Sequence, residues 1–286
     1  MVGSGTWTTM AFSEAKATRG FSTTDSFVNS STQSTFKAKR MPDKLNPYGV
    51  VRECCENEEH PNTIPIILGL DVTGSMNQAC KACLDSLNQV ILQLYEKFPD
   101  VEIAIAGIGD FSWDQSPFQL SQFESDVRIA ENIFDLYIEN GGGSNSWESY
   151  TALWYAGLYH TKLDCWSRGQ KGILISLGDE MLNPMLPKNT INRVFGDTVQ
   201  ADAETEELYQ KTSEKYDIYH IAVTNDSCYY RHKDQIENSF GKMLGQNLFK
   251  STTDDLVKVI IQIVEDSVNK VKYNSNVVIT KDGIAW

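Results

Sequence analysis

One stretch of the chain decides the fold: Ile64-Pro65-Ile66-Ile67-Leu68-Gly69-Leu70, followed directly by Asp71-Val72-Thr73-Gly74-Ser75-Met76. The first part is a continuous apolar run with the length of a buried strand. The second part alternates a carboxylate and two hydroxyls along a tight turn, just before apolar residues with helical spacing at 77–98. Carboxylate and hydroxyl oxygens suit Mg²⁺, Ca²⁺ or Mn²⁺. The stretch therefore predicts a divalent metal where a buried strand meets a helix.

Strands and helices alternate along the rest of the chain. Besides a strand at 63–70, the pattern predicts strands at 101–108, 118–123, 172–177, 218–223 and 247–250. It predicts further helices at 127–139, 147–160, 190–195, 203–216, 233–244 and 254–271. Such alternation is typical of a doubly wound, mostly parallel sheet. We therefore expect an α/β fold with a central sheet and helices on both faces.

The composition is typical of a soluble globular protein and argues against several kinds of partner. The 286 residues are 41% apolar and 22% charged, with a formal net charge of −13. An acidic chain offers no basic face to the phosphates of nucleic acid or to an anionic membrane surface. The first residues have neither the basic nor the apolar region of a signal peptide, and the apolar runs are too short to cross a bilayer. We expect a cytoplasmic protein with no nucleic acid or membrane partner.

The six cysteines match neither a zinc site nor a redox motif. Cys80 and Cys83 form a C-x-x-C pair, but this pair falls within a helical pattern. A zinc site would need a second close pair, whereas Cys165 and Cys228 stand alone. We expect free thiols in a reducing compartment. His220 lies in a predicted strand, and we expect it in the core.

The first 48 residues differ in composition from the rest of the chain. They are rich in Ser, Thr and Lys, and they have too little apolar surface to offset the entropy of ordering, as in a flexible arm. Aromatic residues nevertheless recur along them and could instead anchor the segment to the domain or to a neighbour: Trp7, Phe12, Phe21, Phe27 and Phe36. We divide the chain into an N-terminal arm at 1–48, a domain at 49–272 and a C-terminal tail at 273–286.

Loops at the predicted strand ends carry oxygen ligands. In open α/β sheets, ligands bind where the chain leaves the carboxyl ends of the strands. The candidates, in chain order, are Asp71, Thr73 and Ser75 after the first strand, Asp110 after the second, the glycine-rich loop 141–146 before a helix, and Asp179 after the strand at 172–177.

These residues make the chain resemble a von Willebrand factor A domain over about residues 62–272. Domains of this family bind a divalent cation at a metal-ion-dependent adhesion site with the pattern D-x-[ST]-x-S, a distant Thr and a distant Asp. The candidates match as follows: Asp71, Thr73 and Ser75 form the pattern, Asp179 stands at the distant Asp, and Ser144, with Asn145 beside it, stands at the distant Thr.

The resemblance implies a role for each ligand. Thr73 and Ser75 would bind Mg²⁺ (or Mn²⁺ or Ca²⁺) directly, while Asp71 and Asp179 would act mostly through water. Mg²⁺ prefers six oxygens and tends to keep several waters. Two carboxylates roughly balance its charge, so an Asp or Glu of a protein partner could complete the shell.

Other interpretations of these residues stay open. Thr73 or Ser75 could cap the following helix, because their side chains can accept hydrogen bonds from its free amides. Asp110 could cap the turn that follows its strand, or could contact the metal ligands without binding the metal itself. Four aromatic residues could form the rim of a partner-binding surface or pack beneath the loops: Phe111, Trp113, Trp147 and Tyr150.

We expect a protein–protein interaction module, an adaptor or a subunit of a larger assembly, and not an enzyme. Intracellular proteins that resemble this family often serve as adaptors of AAA+ ATPases, so the resemblance implies such a partner. The alternative is a structural component of a multi-subunit particle, such as a virion, with residues 1–48 as its tether. A metal-dependent phosphohydrolase is a weaker hypothesis, since it would need an acid two residues after Asp71, where Thr73 stands.

Overall fold

The computed structural model of the protein describes residues 7–21, 31, 35–74, 76–138, 147–225, 227–276, 279–280 and 283–284. Its helices are α1 (Thr9–Thr18), α2 (Asn77–Lys97), α3 (Arg128–Phe134), α4 (Tyr150–Tyr159), α5 (Lys188–Phe195), α6 (Thr205–Ser213), α7 (Ser227–Leu244) and α8 (Leu256–Asn276). Its strands are β1 (Arg52–Cys54), β2 (Ile64–Asp71), β3 (Val101–Ile108), β4 (Phe118–Leu120), β5 (Trp147–Glu148), β6 (Thr161–Leu163), β7 (Gly172–Gly178), β8 (Met181–Leu182), β9 (Met185–Leu186), β10 (Ala203–Glu204), β11 (Tyr216–Val223), β12 (Leu248–Ser251), β13 (Ile279–Thr280) and β14 (Gly283–Ile284).

A six-stranded sheet with the order β12-β11-β7-β2-β3-β4 forms the centre of the fold. β4 pairs antiparallel with β3 at one edge, and the other neighbouring strands pair in parallel. β2 is buried along almost its whole length, because a central parallel strand meets apolar side chains on both faces. The predicted α/β fold with a mostly parallel central sheet is confirmed.

Helices cover both faces of this sheet. Side chains alternate along β2, so Ile66 and Leu68 join one apolar cluster while Ile67 joins the other. The first cluster includes α2 and α8, through residues such as Leu87 and Ile263. The second cluster includes buried residues of α4, α5 and α7. Among the described residues, no helix is long and apolar enough to cross a membrane.

The described part of the N-terminal segment packs against the domain. Its aromatic side chains are buried in the same cluster as α2: Trp7, Phe12, Phe21 and Phe36. The Trp7 indole also donates a hydrogen bond to Oδ1 of Asn88 (2.9 Å), and Arg19 forms an ion pair with Asp135. These aromatics therefore anchor the segment to the domain. Phe27 lies outside the described residues, and the boundary at residue 48 stays a prediction.

The helix predicted at 127–139 ends earlier, at Phe134. The helix ends here because a side chain of β4 forms hydrogen bonds with the backbone that follows. The amide of Tyr137 donates to Oε1 of Gln119 (2.9 Å), and Nε2 of Gln119 donates to the carbonyl of Tyr137 (2.8 Å). These two hydrogen bonds replace helical ones, and nothing in the local sequence predicts them.

The helix predicted at 147–160 begins later, at Tyr150. Trp147 and Glu148 instead form β5, which pairs in parallel with β8. At the other end of the chain, α8 continues to Asn276, beyond the predicted domain end at 272. The first of these differences matters for function, because it places Glu148 at the carboxyl edge of the sheet.

Candidate metal centre

Three buried carboxylates follow three adjacent strands of the sheet. β2 pairs with β3 so that Asp71 lies opposite Ile108, and it pairs with β7 so that Leu70 lies opposite Leu177. Asp110 and Asp179 each stand two residues beyond these partners. Asp71 and Asp179 are 0% exposed and Asp110 is 2% exposed. The structure therefore brings together the three strand-end aspartates that the sequence singles out.

Asp71 is held by donors on both carboxylate oxygens. Its Oδ1 accepts the Thr73 amide (3.0 Å) and the Thr73 hydroxyl (2.6 Å), and its Oδ2 accepts the Tyr150 hydroxyl (2.9 Å). Helix α2 is preceded by Met76, which makes no side-chain cap. The Thr73 hydroxyl is thus directed at Asp71, in contrast to the helix-cap interpretation for this residue.

The Asp110 carboxylate has two different environments. Its Oδ1 accepts the amide of Ser112 (2.7 Å), while its own amide donates to Oδ2 of Asp114 (2.8 Å). These bonds close the turn after β3, as the capping interpretation expects. Its Oδ2 is buried and has no hydrogen-bond partner among the described residues. One oxygen therefore shapes the loop, and the other remains available to a cation.

Glu148 is the site residue that sequence reasoning missed. Its side chain is 4% exposed, and Oε2 has no hydrogen-bond partner in the part of the chain that the structure describes. Burial, followed by the nearby charges of Asp71, Glu180, Asp110 and Asp114, raises its pKa well above the usual range. A buried carboxyl group among other carboxylates is the arrangement that a bound cation stabilises.

Backbone contacts bring Glu148 to this place. The amide of Ser149 donates to the carbonyl of Gly109 (3.1 Å), and the Ser149 hydroxyl accepts the amide of Phe111 (2.8 Å). One sequence signal could have identified the residue. Glu148 is the only Asp, Glu, Lys or Arg between Glu139 and Lys162, in a segment that is otherwise apolar or uncharged.

The donor chemistry fits a hard divalent cation. Carboxylate and hydroxyl side chains lie at this edge of the sheet, and buried oxygens of Asp110 and Glu148 have no hydrogen-bond partner among the described residues. Within the described residues, no three His, Cys, Asp or Glu side chains already stand close enough together to hold an ion. Three of the predicted site residues lie outside that part of the chain: Ser75, Ser144 and Asn145. Their roles, and the metal itself, stay predictions.

The four aromatic residues near the site differ in their exposure to solvent. Trp113 is 60% exposed, in the turn after β3, which agrees with a place on a binding rim. Phe111 and Trp147 are half-buried. Tyr150 is 0% exposed and contacts Asp71, so of the two alternatives it packs beneath the loops and does not stand on the rim.

His220 was predicted to lie in the core, and the cysteines were predicted to form no disulfide. His220 is fully buried in β11, where its Nδ1 lies 2.8 Å from the Ser176 hydroxyl. All six cysteines lie among the described residues, and none of them forms a disulfide. Burial and the neighbouring charge of Asp71 raise the pKa of Cys80 well above its usual range, which makes this thiol a poor nucleophile.

Comparison with known proteins identifies relatives in structure only. No family model and no curated protein matches the sequence. The pilus adhesin SpaC from Lactobacillus rhamnosus GG, in its open conformation, has a TM-score of 0.52 and 11% identity, over 78% of this chain and 31% of the adhesin. A second SpaC structure has a TM-score of 0.50 and 10% identity, over 78% of this chain and 32% of that one. The vWF domain of the type V pili tip protein Mfa5 from Porphyromonas gingivalis has a TM-score of 0.45 and 12% identity, over 73% of this chain and 96% of the domain.

The similarity is one of fold. This chain spans about a third of the length of SpaC (31% and 32% in the two structures), so it corresponds to a part of that adhesin. Identities this low carry no information on individual ligands or partners.

Proposed function

We propose that this chain is a metal-dependent protein–protein interaction module. Its cation would be bound at the carboxyl ends of β2, β3 and β7. The observation that carries the proposal is the group of buried carboxylates there, in which oxygens of Asp110 and Glu148 have no hydrogen-bond partner among the described residues. Buried carboxylates without compensation are strongly destabilising, and a bound cation removes that penalty.

Among the described residues, Thr73 would bind the ion directly, because its hydroxyl is already oriented by Asp71. Its hydroxyl hydrogen is directed to Oδ1 of Asp71, so the lone pairs of the hydroxyl oxygen remain for a metal. Asp71 accepts donors on both oxygens and would act through Thr73 and through water. Ser75 and Ser144 would add the hydroxyl ligands that the resemblance implies, and Asp179 a further carboxylate.

The bound ion, Mg²⁺ or else Mn²⁺ or Ca²⁺, would supply positive charge that attracts an acidic group of a partner. In a chain with a net charge of −13, such a site provides local attraction for Asp or Glu. The exposed Trp113 beside the site would add apolar contact area to the interface.

We propose that the partner is a component of a larger assembly. Structures of similar fold include those of a pilus adhesin. An adaptor of an AAA+ ATPase and a structural subunit of a particle remain proposals of the same kind, because each uses the module to bind another protein.

The arrangement around Asp71 weighs against a phosphohydrolase. Both oxygens of Asp71 accept hydrogen bonds, which lowers the nucleophilicity that a phosphoryl acceptor needs. The residue two positions later is Thr73, whose hydroxyl cannot replace a carboxylic acid as proton donor. We therefore propose a role in binding and not in catalysis.

The test is capture of partners by the immobilised protein in Mg²⁺ and in EDTA. Wild-type protein should retain a set of proteins in Mg²⁺ and lose it in EDTA, and Asp71→Ala should fail to retain the same set under either condition. Asp266→Ala, a change at an exposed aspartate of α8, is the matched control and should behave as wild type. An identical set of retained proteins in EDTA and in Mg²⁺ would overturn the proposal.

A further inference from the structure

We infer that Tyr150 is a positioning residue for the cation site, an inference that rests on the proposed function. Tyr150 is the first residue of α4 and is 0% exposed. Its hydroxyl donates to Oδ2 of Asp71 over 2.9 Å, while Thr73 occupies Oδ1. The two contacts together fix the plane of the Asp71 carboxylate. That plane in turn sets the direction of the Thr73 hydroxyl.

The ring of Tyr150 is held tightly by its neighbours. It meets the His220 ring edge-on, with 5.0 Å between centroids and an interplanar angle of 74°. It meets Phe240 in the same way, at 5.3 Å and 67°. His220 and Phe240 stack on each other at 3.7 Å. A phenol packed edge-on against two rings that stack on each other has little freedom to move, so its hydroxyl is a fixed point in the site.

Gly178 makes room for this hydroxyl. A Cβ built at Gly178 would lie far inside 3.0 Å of the Tyr150 oxygen, an approach that real Cβ atoms do not show. Gly178 ends β7 and directly precedes Asp179. The same phenol therefore contacts Asp71 through a hydrogen bond and lies against the backbone that carries Asp179. This explains why the strand that presents Asp179 ends in a residue without a side chain.

The phenol stays a donor at neutral pH. An ordinary phenol, with a pKa of about 10, keeps its proton at pH 7. A neutral phenol adds no charge to a site already rich in carboxylates. It occupies Oδ2 of Asp71, so that Asp71 would act through Thr73 and through water. Residues that orient metal ligands in this way commonly change metal affinity by 10- to 100-fold when they are replaced.

The experiment measures the dissociation constants of Mg²⁺ and Mn²⁺ by titration calorimetry on the full chain. Tyr150→Phe keeps the ring and removes the donor, and it should weaken cation binding about tenfold or more. Tyr216→Phe is the matched control, because Tyr216 is also fully buried and its hydroxyl pairs with Thr161 (2.6 Å) at the other end of the sheet. This control should bind the cations as wild type does.

A second variant disturbs the hydrogen bond between Tyr150 and Asp71 without changing either residue. Gly178→Ala pushes the phenol away from Asp71 and should also weaken cation binding, whereas Gly241→Ala, at a position with open space around its Cβ, should not. Replacement of Tyr150 by 4-aminophenylalanine restores a donor at the ring position and should recover most of the lost affinity. Circular dichroism selects the variants that are folded, and either Tyr150→Phe or Gly178→Ala is sufficient for the test.

The outcomes separate the inference from the proposed function. Wild-type protein that binds neither cation contradicts the proposed function itself. If wild type binds a cation and the folded Tyr150→Phe protein binds it equally well or more tightly, the positioning role of Tyr150 is wrong while the site remains. If Tyr216→Phe weakens binding as much as Tyr150→Phe, the effect is a general loss of stability, and the inference is equally overturned.

Discussion

The Thr73 hydroxyl donates to Oδ1 of Asp71 over 2.6 Å, and the same oxygen accepts the Thr73 amide at 3.0 Å. The two bonds lock the turn after β2 and orient the hydroxyl before any cation arrives. A ligand that is already oriented loses little conformational freedom when it binds. The first turn of the site is therefore preformed by the protein.

Thr73→Val should weaken cation binding, since it keeps the shape of the side chain and removes the ligand oxygen. We expect a loss of about tenfold or more in Mg²⁺ affinity, as measured by calorimetry. Thr73→Ser retains the hydroxyl and should stay close to wild type. Equal affinities for the Val and Ser variants would show that Thr73 is not a ligand.

Glu148→Gln should stabilise the protein without metal and weaken the response to metal. Without metal, folding must either bury the Glu148 charge among other carboxylates or bind a proton to that carboxylate. Glutamine avoids both costs, so the free energy of unfolding in EDTA at pH 7.5 should rise by about 1 to 3 kcal/mol. The increase in melting temperature on addition of Mg²⁺ should become smaller. Glu207→Gln, at an exposed residue paired with Lys211, should change stability by less than about 0.5 kcal/mol. A loss of stability in EDTA for Glu148→Gln would contradict the account.

His220 should make the fold less stable in acid. Burial lowers its pKa from 6.5 to about 3. Between these two values the unfolded chain binds a proton that the folded protein excludes, so stability is complete above pH 6.5 and falls as the pH decreases towards 3. The contribution is about 1.4 kcal/mol for each pH unit in this window.

The measurement is urea unfolding of wild type and His220→Phe at pH 7.5 and 4.5. Carboxylates titrate in both proteins, so only the difference between them reports on His220. The wild type should lose about 2 to 3 kcal/mol more than the variant between these pH values. Equal losses would mean that the imidazole gains its proton without unfolding.

The N-terminal segment should contribute to the stability of the domain. Phe12 is 5% exposed and packs in the cluster that includes α2, so Phe12→Ala should lower the free energy of unfolding by about 3 kcal/mol. Met10, on the same helix and 71% exposed, is the control, and Met10→Ala should change stability by less than about 0.5 kcal/mol. Equal, small effects would instead indicate an arm used only for assembly.

The central part of the fold follows from the sequence because its strands are continuous apolar runs. β2, β3, β7 and β11 all lie within a few residues of their predicted positions, and the sheet order places their carboxyl ends together. The predicted helix at 127–139 was too long, since the Gln119–Tyr137 pair joins residues that are far apart in the chain. A local pattern contains no information about such a contact.

The site could be predicted only in part, for a similar reason. Asp71, Thr73 and Asp179 were identifiable because each lies at or just after the end of an apolar strand. Glu148 was assigned to the first turn of a helix, and its pairing with β8 is visible only in three dimensions. For Tyr150 the sequence left open a place on the rim or beneath the loops, and its hydrogen bond to Asp71 in the interior is visible only in three dimensions.

The central claim is that the carboxyl edge of the sheet binds a divalent cation, and titration of Mg²⁺ or Mn²⁺ into metal-free protein tests it most directly. Calorimetry should show saturable binding to wild type and to Asp266→Ala, and none to Asp71→Ala at a concentration where circular dichroism shows that all three proteins are folded. Absence of binding to folded wild type, or equal binding to Asp71→Ala, would contradict the account.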